Sequence, residues 1–367
     1  MTSDTLYSSQ PPHEGTIQFL KDLLGKKVVD AVLTLAATPW SCLPMPSLFV
    51  REDDMELILP LAPAAPFNAA RQAAQVMRQS IGKRIALVLK PCEVRAFIEL
   101  TKLNQCVLDE NTLIISMECP GRLENADYVK AVQADPQALQ PLRDNPALES
   151  GVTHSCRVCS RFIPEQADIT VLVFSGDGNT TRLRASSDKG HAALEALSLD
   201  LVAADSTPSP AVSDRMAEKQ DMEKKDLVAV RQATGSVEGL QKFLSGCLNC
   251  YNCRNACPVC YCRECVFKTD VFDAQPELLL KRADKKGGIK LPQDTTLFHM
   301  TRMLHIGHAC VQCGQCSSAC PMDIPIADVF RASAQAMQDL YNYRPGRDIN
   351  EPIPMLAFGV KNGKNEN

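Results

Sequence analysis

The chain lacks the motifs and segments that mark several common classes of protein. Neither G-x-G-x-x-G nor G-x-x-x-x-G-K-[ST] occurs in its 367 residues, so neither a Rossmann nor a P-loop nucleotide site is predicted. The longest apolar runs, such as Ile85 to Leu89, fall far short of the roughly twenty residues that cross a bilayer. Aromatic residues are scarce at 5%, although the apolar share of 45% is that of an ordinary globular protein. We therefore expect a globular chain with no direct membrane insertion.

A secretory leader and an excess of basic charge are absent as well. The N-terminus MTSDTLYSSQPPHEG has neither a basic nor an apolar segment, which predicts a reducing, cytoplasmic location. The formal net charge is −4, so nucleic acid is not an expected partner. The run from Asp214 to Asp226 mixes both signs and predicts a solvated helix face or a linker.

Cysteine, by contrast, is abundant and unevenly placed. Of the 17 cysteines, 11 fall between Cys247 and Cys320. Because no oxidising compartment is implied, metal ligation is favoured over disulfide bonds.

Strand-like and helix-like stretches alternate over the first two hundred residues, which predicts an α/β or α+β domain. The strand candidates are Met55 to Leu61, Arg84 to Lys90, Thr112 to Glu118, Ala167 to Ser175 and, after a turn, Thr181 to Arg184. The helix candidates there are Asn68 to Ser80 and Glu93 to Lys102.

Pro, Ser and Asp concentrate in Ala204 to Ser213, which is the composition of a linker or surface loop. Further helices are predicted at Leu227 to Leu244, at Thr295 to His305 and after Cys320. We therefore predict a tail (1–15), an α/β or α+β domain (16–203), a linker (204–226), a mainly helical cysteine-rich domain (227–345) and a second tail (346–367).

The pattern C-x2-C-x2-C-x3-C-P, typical of bacterial ferredoxins, occurs twice in the cysteine-rich domain. In such repeats the first three thiolates hold one [4Fe-4S] cube and the fourth reaches the other cube. Zinc motifs instead pair two ligands and then leave a longer gap, and a [3Fe-4S] cluster would need a missing ligand. The predicted ligands are Cys247, Cys250, Cys253 and Cys320 for cluster one and Cys310, Cys313, Cys316 and Cys257 for cluster two.

A third group of cysteines lies in the first domain. Cys156 and Cys159 form a lone C-x2-C, which by itself fits zinc, half a redox site or no site. Cys92 and Cys119 each follow a predicted strand at its carboxyl end, where α/β sheets build their sites. Four cysteines from such positions could close a third cube.

Three stretches of this domain, LKPCEVRAFIEL, IISMECPGRL and CRVCSRFIPEQADITV, resemble the beta-subunit family of coenzyme F420 hydrogenases and dehydrogenases, which includes beta subunits of cytoplasmic formate dehydrogenases. The resemblance covers roughly residues 16 to 200. It implies a flavoprotein-like domain that binds FAD and one [4Fe-4S] cluster. The ligands that it implies for this cluster three are Cys92, Cys119, Cys156 and Cys159.

Three basic residues are candidates for contact with the flavin. The family's turn reads Gly-Thr-Pro-Cys where this chain has Leu89-Lys90-Pro91-Cys92, so Lys90 is either a cation that stabilises the reduced flavin or a surface lysine. Arg95 and Arg122 are either contacts of the flavin pyrophosphate or exposed charges.

The resemblance implies an iron-sulfur flavoprotein beta subunit of a multi-subunit anaerobic oxidoreductase, which passes electrons between FAD and a partner subunit through three [4Fe-4S] clusters. The partner would be the catalytic subunit of a formate dehydrogenase, a hydrogenase or a heterodisulfide-reductase-like assembly. A nicotinamide or deazaflavin coenzyme is a further candidate, and no catalytic side chain is predicted. The competing prediction is an iron-sulfur adapter that relays electrons between two enzymes without binding flavin.

Several other residues leave more than one prediction open. Cys260, Cys262 and Cys265 are spare ligands, a small zinc site or packed thiols. His305 and His308 either tune cluster two through hydrogen bonds or are ordinary core or surface residues.

Overall fold

The computed structural model describes residues 2–134, 151–175, 178–203, 208–270, 275–291 and 294–354. In these residues a mixed α/β domain precedes a helical C-terminal region, as predicted. The sheet has eight strands in the order β3-β2-β4-β5-β6-β7-β1-β8. Their bounds are β1 Ser3–Ser8, β2 Ala31–Thr38, β3 Ser41–Phe49, β4 Ile85–Val88, β5 Thr112–Met117, β6 Ile169–Leu172, β7 Thr181–Ala185 and β8 Val202–Ala203.

The centre of the sheet is parallel and its two wings are antiparallel. β2, β4, β5 and β6 run parallel, with Leu87 of β4 opposite Ile114 of β5. β3 pairs antiparallel on one side, and β7, β1 and β8 do so on the other. Because the central strands are parallel, their carboxyl ends meet at one edge, where open α/β sheets place their sites.

Six helices accompany the sheet in the described residues: α1 Pro12–Gly25, α2 Ala70–Val76, α3 Pro91–Lys102, α4 Asn125–Ala134, α5 His154–Arg157 and α6 Asp188–Ala196. The amphipathic α1 buries Phe19, Leu20 and Leu23 against one sheet face. α2 and α3 cover the other face.

The helical region contains α7 Pro210–Thr234, α8 Val237–Phe243, α9 Asn252–Ala256, α10 Pro276–Lys286, α11 Thr295–Ile306, α12 Gln315–Ser318 and α13 Ile326–Leu340. It shares one hydrophobic core with the sheet, because Leu87 and Phe97 cluster with Phe298 and Phe330. None of the helices in the described ranges combines the length and apolar composition that a bilayer span requires.

The structure differs from the sequence prediction around the expected linker, 204–226. Residues from Pro210 onward form α7, because Ser209 caps its first turn by accepting from the Val212 N–H and Pro210 occupies the first helical position. The charged run within it is therefore a helix face. The helix predicted from Leu227 to Leu244 is split between α7 and α8, where Ser236 caps the second helix. Residues 204–207 lie outside the described part of the chain.

At the N-terminus, the predicted tail 1–15 contains β1 and the start of α1. The strand predicted from Met55 to Leu61 is absent, and only a single bridge joins Ile58 to Ala36. β2 and β3 were not predicted. β3 carries Pro44 and Pro46, which a strand tolerates because it lies at the edge of the sheet. Of the predicted tail 346–367, residues after 354 lie outside the described ranges.

Candidate metal centres

The structure brings the four predicted cluster one cysteines together from two loops. The first loop follows α8 and turns through left-handed backbone at Asn249 and Tyr251. Burial raises the pKa of Cys253, and the charges of the other three members add to that rise. Cys320 therefore faces three cysteines that are distant in sequence. Cys250 is exposed, so this site reaches the surface.

The four predicted cluster two cysteines line a single cavity. The other lining residues include apolar Ile306, Val311 and Phe330 and one cation, Arg302. Burial raises the pKa of Cys313 to about 11 and that of Cys316 well above the ordinary value. A mostly apolar cavity lined by four thiols fits a metal-sulfur group that is bound by thiolates.

The four predicted cluster three cysteines lie at the carboxyl edge of the sheet. Cys92 is in the first turn of α3 just after β4, and Cys119 follows β5. Cys156 belongs to α5, and Cys159 follows it. Burial raises the pKa of Cys119 to about 12, and the charges of Cys156 and Cys159 add to the rise. Gly121 has φ +100°, and a Cβ there would lie 3.2 Å from the Cβ of Cys156, so a side chain would strain the backbone and crowd that cysteine.

The predicted cluster two and cluster three cysteine sets adjoin each other. The charge of Cys313 contributes to the raised pKa of Cys92, whose main cause is burial. A Cβ on Gly314, which has φ +77°, would lie 2.6 Å from the Cβ of Ser155. The cluster two loop therefore touches the α5 segment directly. The cluster two set thus adjoins the cluster three set and, through Arg302, the cluster one set, whose Cys250 is exposed.

The three cations predicted at the flavin are buried against the thiols. The alternatives that made Lys90 a surface lysine and Arg95 and Arg122 exposed charges are therefore wrong. Each cation lowers the pKa of nearby thiols against the effect of burial. The neighbours are Cys119 for Lys90, Cys92 and Cys159 for Arg95, and Cys313 for Arg122.

Each of these cations also has a buried nitrogen with no hydrogen-bond partner among the described residues: Nζ of Lys90, Nη1 of Arg95 and Nε of Arg122. Buried donors are normally satisfied, so unpaired ones beside thiols fit an anionic group that carries sulfide acceptors. The donor set and the orphan nitrogens are thus consistent with [4Fe-4S] clusters.

Sequence reasoning missed three residues that contact the predicted ligands. Arg302 and His299, on α11, contact Sγ of Cys253 and Cys247 at 3.1 and 3.4 Å. Lys219, on α7, donates to the carbonyl oxygens of Cys156 and Arg157 at 3.0 Å each. The i, i+3 spacing of His299 and Arg302 on a predicted helix was an available signal for a shared face.

The two histidines that were considered lie elsewhere. His305 is exposed. Burial lowers the pKa of His308, and the charges acting on it come from Glu99 and Lys102 rather than from a thiol.

The sulfur atoms of the predicted cysteine sets are spaced more widely than the ligands of one zinc ion. Among the described residues, His154, Asp226 and Asp328 alone bring three potential ligand atoms within 4.8 Å of one another. Thiolates around one zinc ion would lie about 3.8 Å apart, given a Zn–S bond of about 2.3 Å. The sulfur atoms of Cys260, Cys262 and Cys265 likewise do not all lie within 4.8 Å of one another, and the three roles considered for these residues stay predictions.

A polar cleft opens beside Cys159 between α7 and α13. Its volume is about 750 Å³, within the range of cofactor sites of about 300–1,000 Å³. Burial lowers the pKa of Arg161 in its wall. Two carboxylates, Glu223 and Asp339, face five cations, so the cleft favours an anionic ligand. The cations are Arg161, Lys224, Arg231, Arg344 and Arg347.

Comparison with known families assigns a class to two segments of the chain. Residues 243–324 match the family described as 4Fe-4S dicluster domain. Residues 122–210 match the family described as the C terminus of the coenzyme F420 hydrogenase/dehydrogenase beta subunit. These two matches confirm the predicted resemblance to iron-sulfur dicluster domains and to the beta subunits of coenzyme F420 hydrogenases and dehydrogenases.

Two curated relatives extend along most of the chain. The F420-dependent formate dehydrogenase subunit beta of Methanocaldococcus jannaschii is 27% identical over 367 residues, covering 90% of this chain and 91% of the relative. The F420-dependent formate dehydrogenase 1 subunit beta of Methanococcus maripaludis is 26% identical over 372 residues, covering 90% of both. Among solved structures, the F420-reducing [NiFe] hydrogenase complex of Methanosarcina barkeri aligns with a TM-score of 0.44 and 13% identity, over 65% of this chain and 94% of that one.

Proposed function

We propose that this chain is the electron-transfer beta subunit of a formate dehydrogenase- or hydrogenase-type complex. Three [4Fe-4S] clusters, held by the sets assigned above, carry electrons between FAD and a catalytic partner subunit. The names of the curated relatives favour formate dehydrogenase and a deazaflavin coenzyme over the other partners and coenzymes considered.

The adjacency of the three cysteine sets is the observation that supports this proposal. Cluster three lies at the sheet edge, cluster two touches its α5 segment, and cluster one reaches the surface at Cys250. Thiolate-bound cubes move single electrons, whereas a flavin exchanges two with a hydride donor and one at a time with a cube. A flavin beside cluster three would therefore place the two-electron chemistry at the sheet edge, with clusters two and one carrying single electrons towards Cys250.

We place the anionic groups of that flavin in the cleft beside Cys159. Arg231 and Lys224 line it from α7, and Arg161 lies two residues after Cys159 in the chain. Guanidinium groups bind phosphate in bidentate fashion, which suits a pyrophosphate. In this arrangement Lys90, Arg95 and Arg122 balance the charge of clusters two and three rather than the charge of the flavin.

Iron and flavin analysis of anaerobically purified protein tests the proposal. We expect about twelve irons per chain, with FAD released by acid. The double variant Cys156→Ser/Cys159→Ser should lose about four irons. Cys42→Ser is the matched control, because Cys42 lies on β3 and belongs to none of the three sets, so this variant should keep all its iron. About eight irons in the unaltered chain would remove cluster three.

Flavin content separates this function from the adapter. A chain with full iron and no FAD would support the adapter and defeat the flavoprotein proposal. Arg231→Gln tests the cleft, and we expect lost flavin at unchanged iron. The exposed Lys281→Gln makes the same change in net charge on α10 and should retain flavin. Equal flavin content in the two variants would show that FAD binds outside this cleft.

A further inference from the structure

Arg302 lies on the buried face of α11 between clusters one and two. Its Nη1 donates to Sγ of Cys253 at 3.1 Å, and its Nη2 donates to the carbonyl oxygen of the same residue at 3.3 Å. The same side chain lines the cavity formed by the four cluster two cysteines. One cation is therefore shared by the two predicted sites.

The counter-charges of this arginine are cysteines. Arg302 is 3% exposed, and no ion pair between it and a carboxylate occurs within the described ranges. The polar atoms that it contacts are Sγ and the carbonyl oxygen of Cys253, and the four cluster two cysteines line the same cavity as its side chain. A buried charge is costly unless it is paired, so this cation is matched to the thiolates of the two sites.

Aromatic rings hold the guanidinium in place. Its central carbon lies 4.6 Å from the ring centroid of Phe330 and 5.5 Å from that of Phe298, which are cation–π distances. Its Nε is buried without a hydrogen-bond partner in the described part of the chain. The charge is thus fixed on the cysteines and cannot relax into solvent.

We propose that Arg302 raises the reduction potentials of both ferredoxin clusters, through its hydrogen bond to Cys253 and through its charge in the cluster two cavity. Reducing a [4Fe-4S] cluster adds one electron, so a fixed cation beside it stabilises the reduced state. Net charge and hydrogen bonds to sulfur are two of the factors that set such potentials. Arg302 acts here as a positioning and tuning residue, and the inference rests on the ligand sets proposed above.

The test is an EPR-monitored redox titration of the full chain with all its clusters, for the unaltered protein and three variants. Arg302→Gln removes the charge, whereas Arg302→Lys keeps the charge but loses the pair of guanidinium hydrogen bonds to Cys253. Lys285→Gln makes the same change in net charge as Arg302→Gln at an exposed position of α10. Iron is measured on every sample before titration.

We expect both ferredoxin potentials to fall in Arg302→Gln, to fall less in Arg302→Lys, and to stay unchanged in Lys285→Gln. Unchanged potentials in a fully loaded Arg302→Gln protein would overturn the inference. If that variant does not retain its iron, Arg302→Lys decides, and potentials equal to those of the unaltered chain would overturn it. Iron for fewer than two clusters in the unaltered chain would instead defeat the ligand sets themselves.

Discussion

The ferredoxin cysteines and the sheet-edge cysteines are brought together in different ways. Each ferredoxin motif is a short loop whose left-handed residues, Tyr251 and Gln312 among them, turn three thiols inward. The sheet-edge thiols come from segments after β4 and β5 and from α5. Local chain geometry therefore brings together most of the ligands predicted for clusters one and two, whereas sheet register and helix packing bring together those predicted for cluster three. Cluster three should be the more sensitive to changes in the surrounding fold.

A buried polar network joins the two regions and tests whether they fold as one unit. Glu99 on α3 is fully buried, pairs with Lys102 at 2.8 Å and accepts from the Tyr343 hydroxyl, which follows α13. Glu99→Gln leaves Lys102 buried without its counter-charge, so we expect a loss of about 3–5 kcal/mol in unfolding free energy. Denaturant titration, followed by both cluster absorbance and far-UV circular dichroism, measures it.

The control for this prediction is an ion pair of the same i, i+3 spacing at the surface. Asp54→Asn breaks the exposed Arg51–Asp54 pair and should change the unfolding free energy far less than Glu99→Gln does, because water screens an exposed pair. One transition seen by both probes would show that the regions unfold together. Two separate transitions, with only that of the sheet affected by Glu99→Gln, would show that the sheet and the helical region are independent domains.

The elements that could be predicted from the sequence are those with strong local patterns. β4, β5 and β6 are buried along their whole length and mostly apolar, and they lie within the predicted strands. The sequence does not predict β3, because its two prolines argue against a strand unless its edge position is known. Part of α7 has the composition of a linker because charged residues dominate it, whereas Ser209 and Pro210 determine where it begins.

The candidate site residues also divide into those with a local sequence pattern, which could be predicted, and those brought close only by the fold. The ferredoxin spacing is a local signal and predicts its ligands without knowledge of the fold. Arg302 is 49 positions from Cys253, and Lys219 is 63 from Cys156, so no sequence window contains either contact. The burial of Lys90 was also out of reach, because its neighbours include the distant Cys119.

Lys219 offers a smaller perturbation that is specific to cluster three. It is buried on α7 and donates to the carbonyl oxygens of Cys156 and Arg157 at the end of α5. Lys219→Met removes a charged hydrogen-bond donor from two carbonyl oxygens, which should lower the unfolding free energy by about 1.5–3 kcal/mol. We expect chelators to remove iron from cluster three several-fold faster, with clusters one and two unaffected.

Chelator-dependent bleaching combined with EPR measures this loss. Lys225→Met is the control, because Lys225 lies on the same helix but is exposed and pairs only with Asp221 in the contacts described. If Lys219→Met released iron equally from all three clusters, the greater sensitivity of the sheet-edge site would be refuted.

The smallest expected effect concerns Tyr7, in a part of the sheet remote from every cysteine set. Its hydroxyl donates to Asp22 at 2.7 Å, joining β1 to α1, and burial together with that bond raises its pKa above 10. The folded state therefore keeps a proton that the unfolded state loses above about pH 10, so stability should fall as the pH rises through that value. Tyr7→Phe has no such proton, and its unfolding free energy should decline less steeply between about pH 9 and pH 11. Equal slopes in denaturant titrations of the two proteins would show that this phenol does not contribute, and unchanged cluster spectra would confirm that the sheet alone responds.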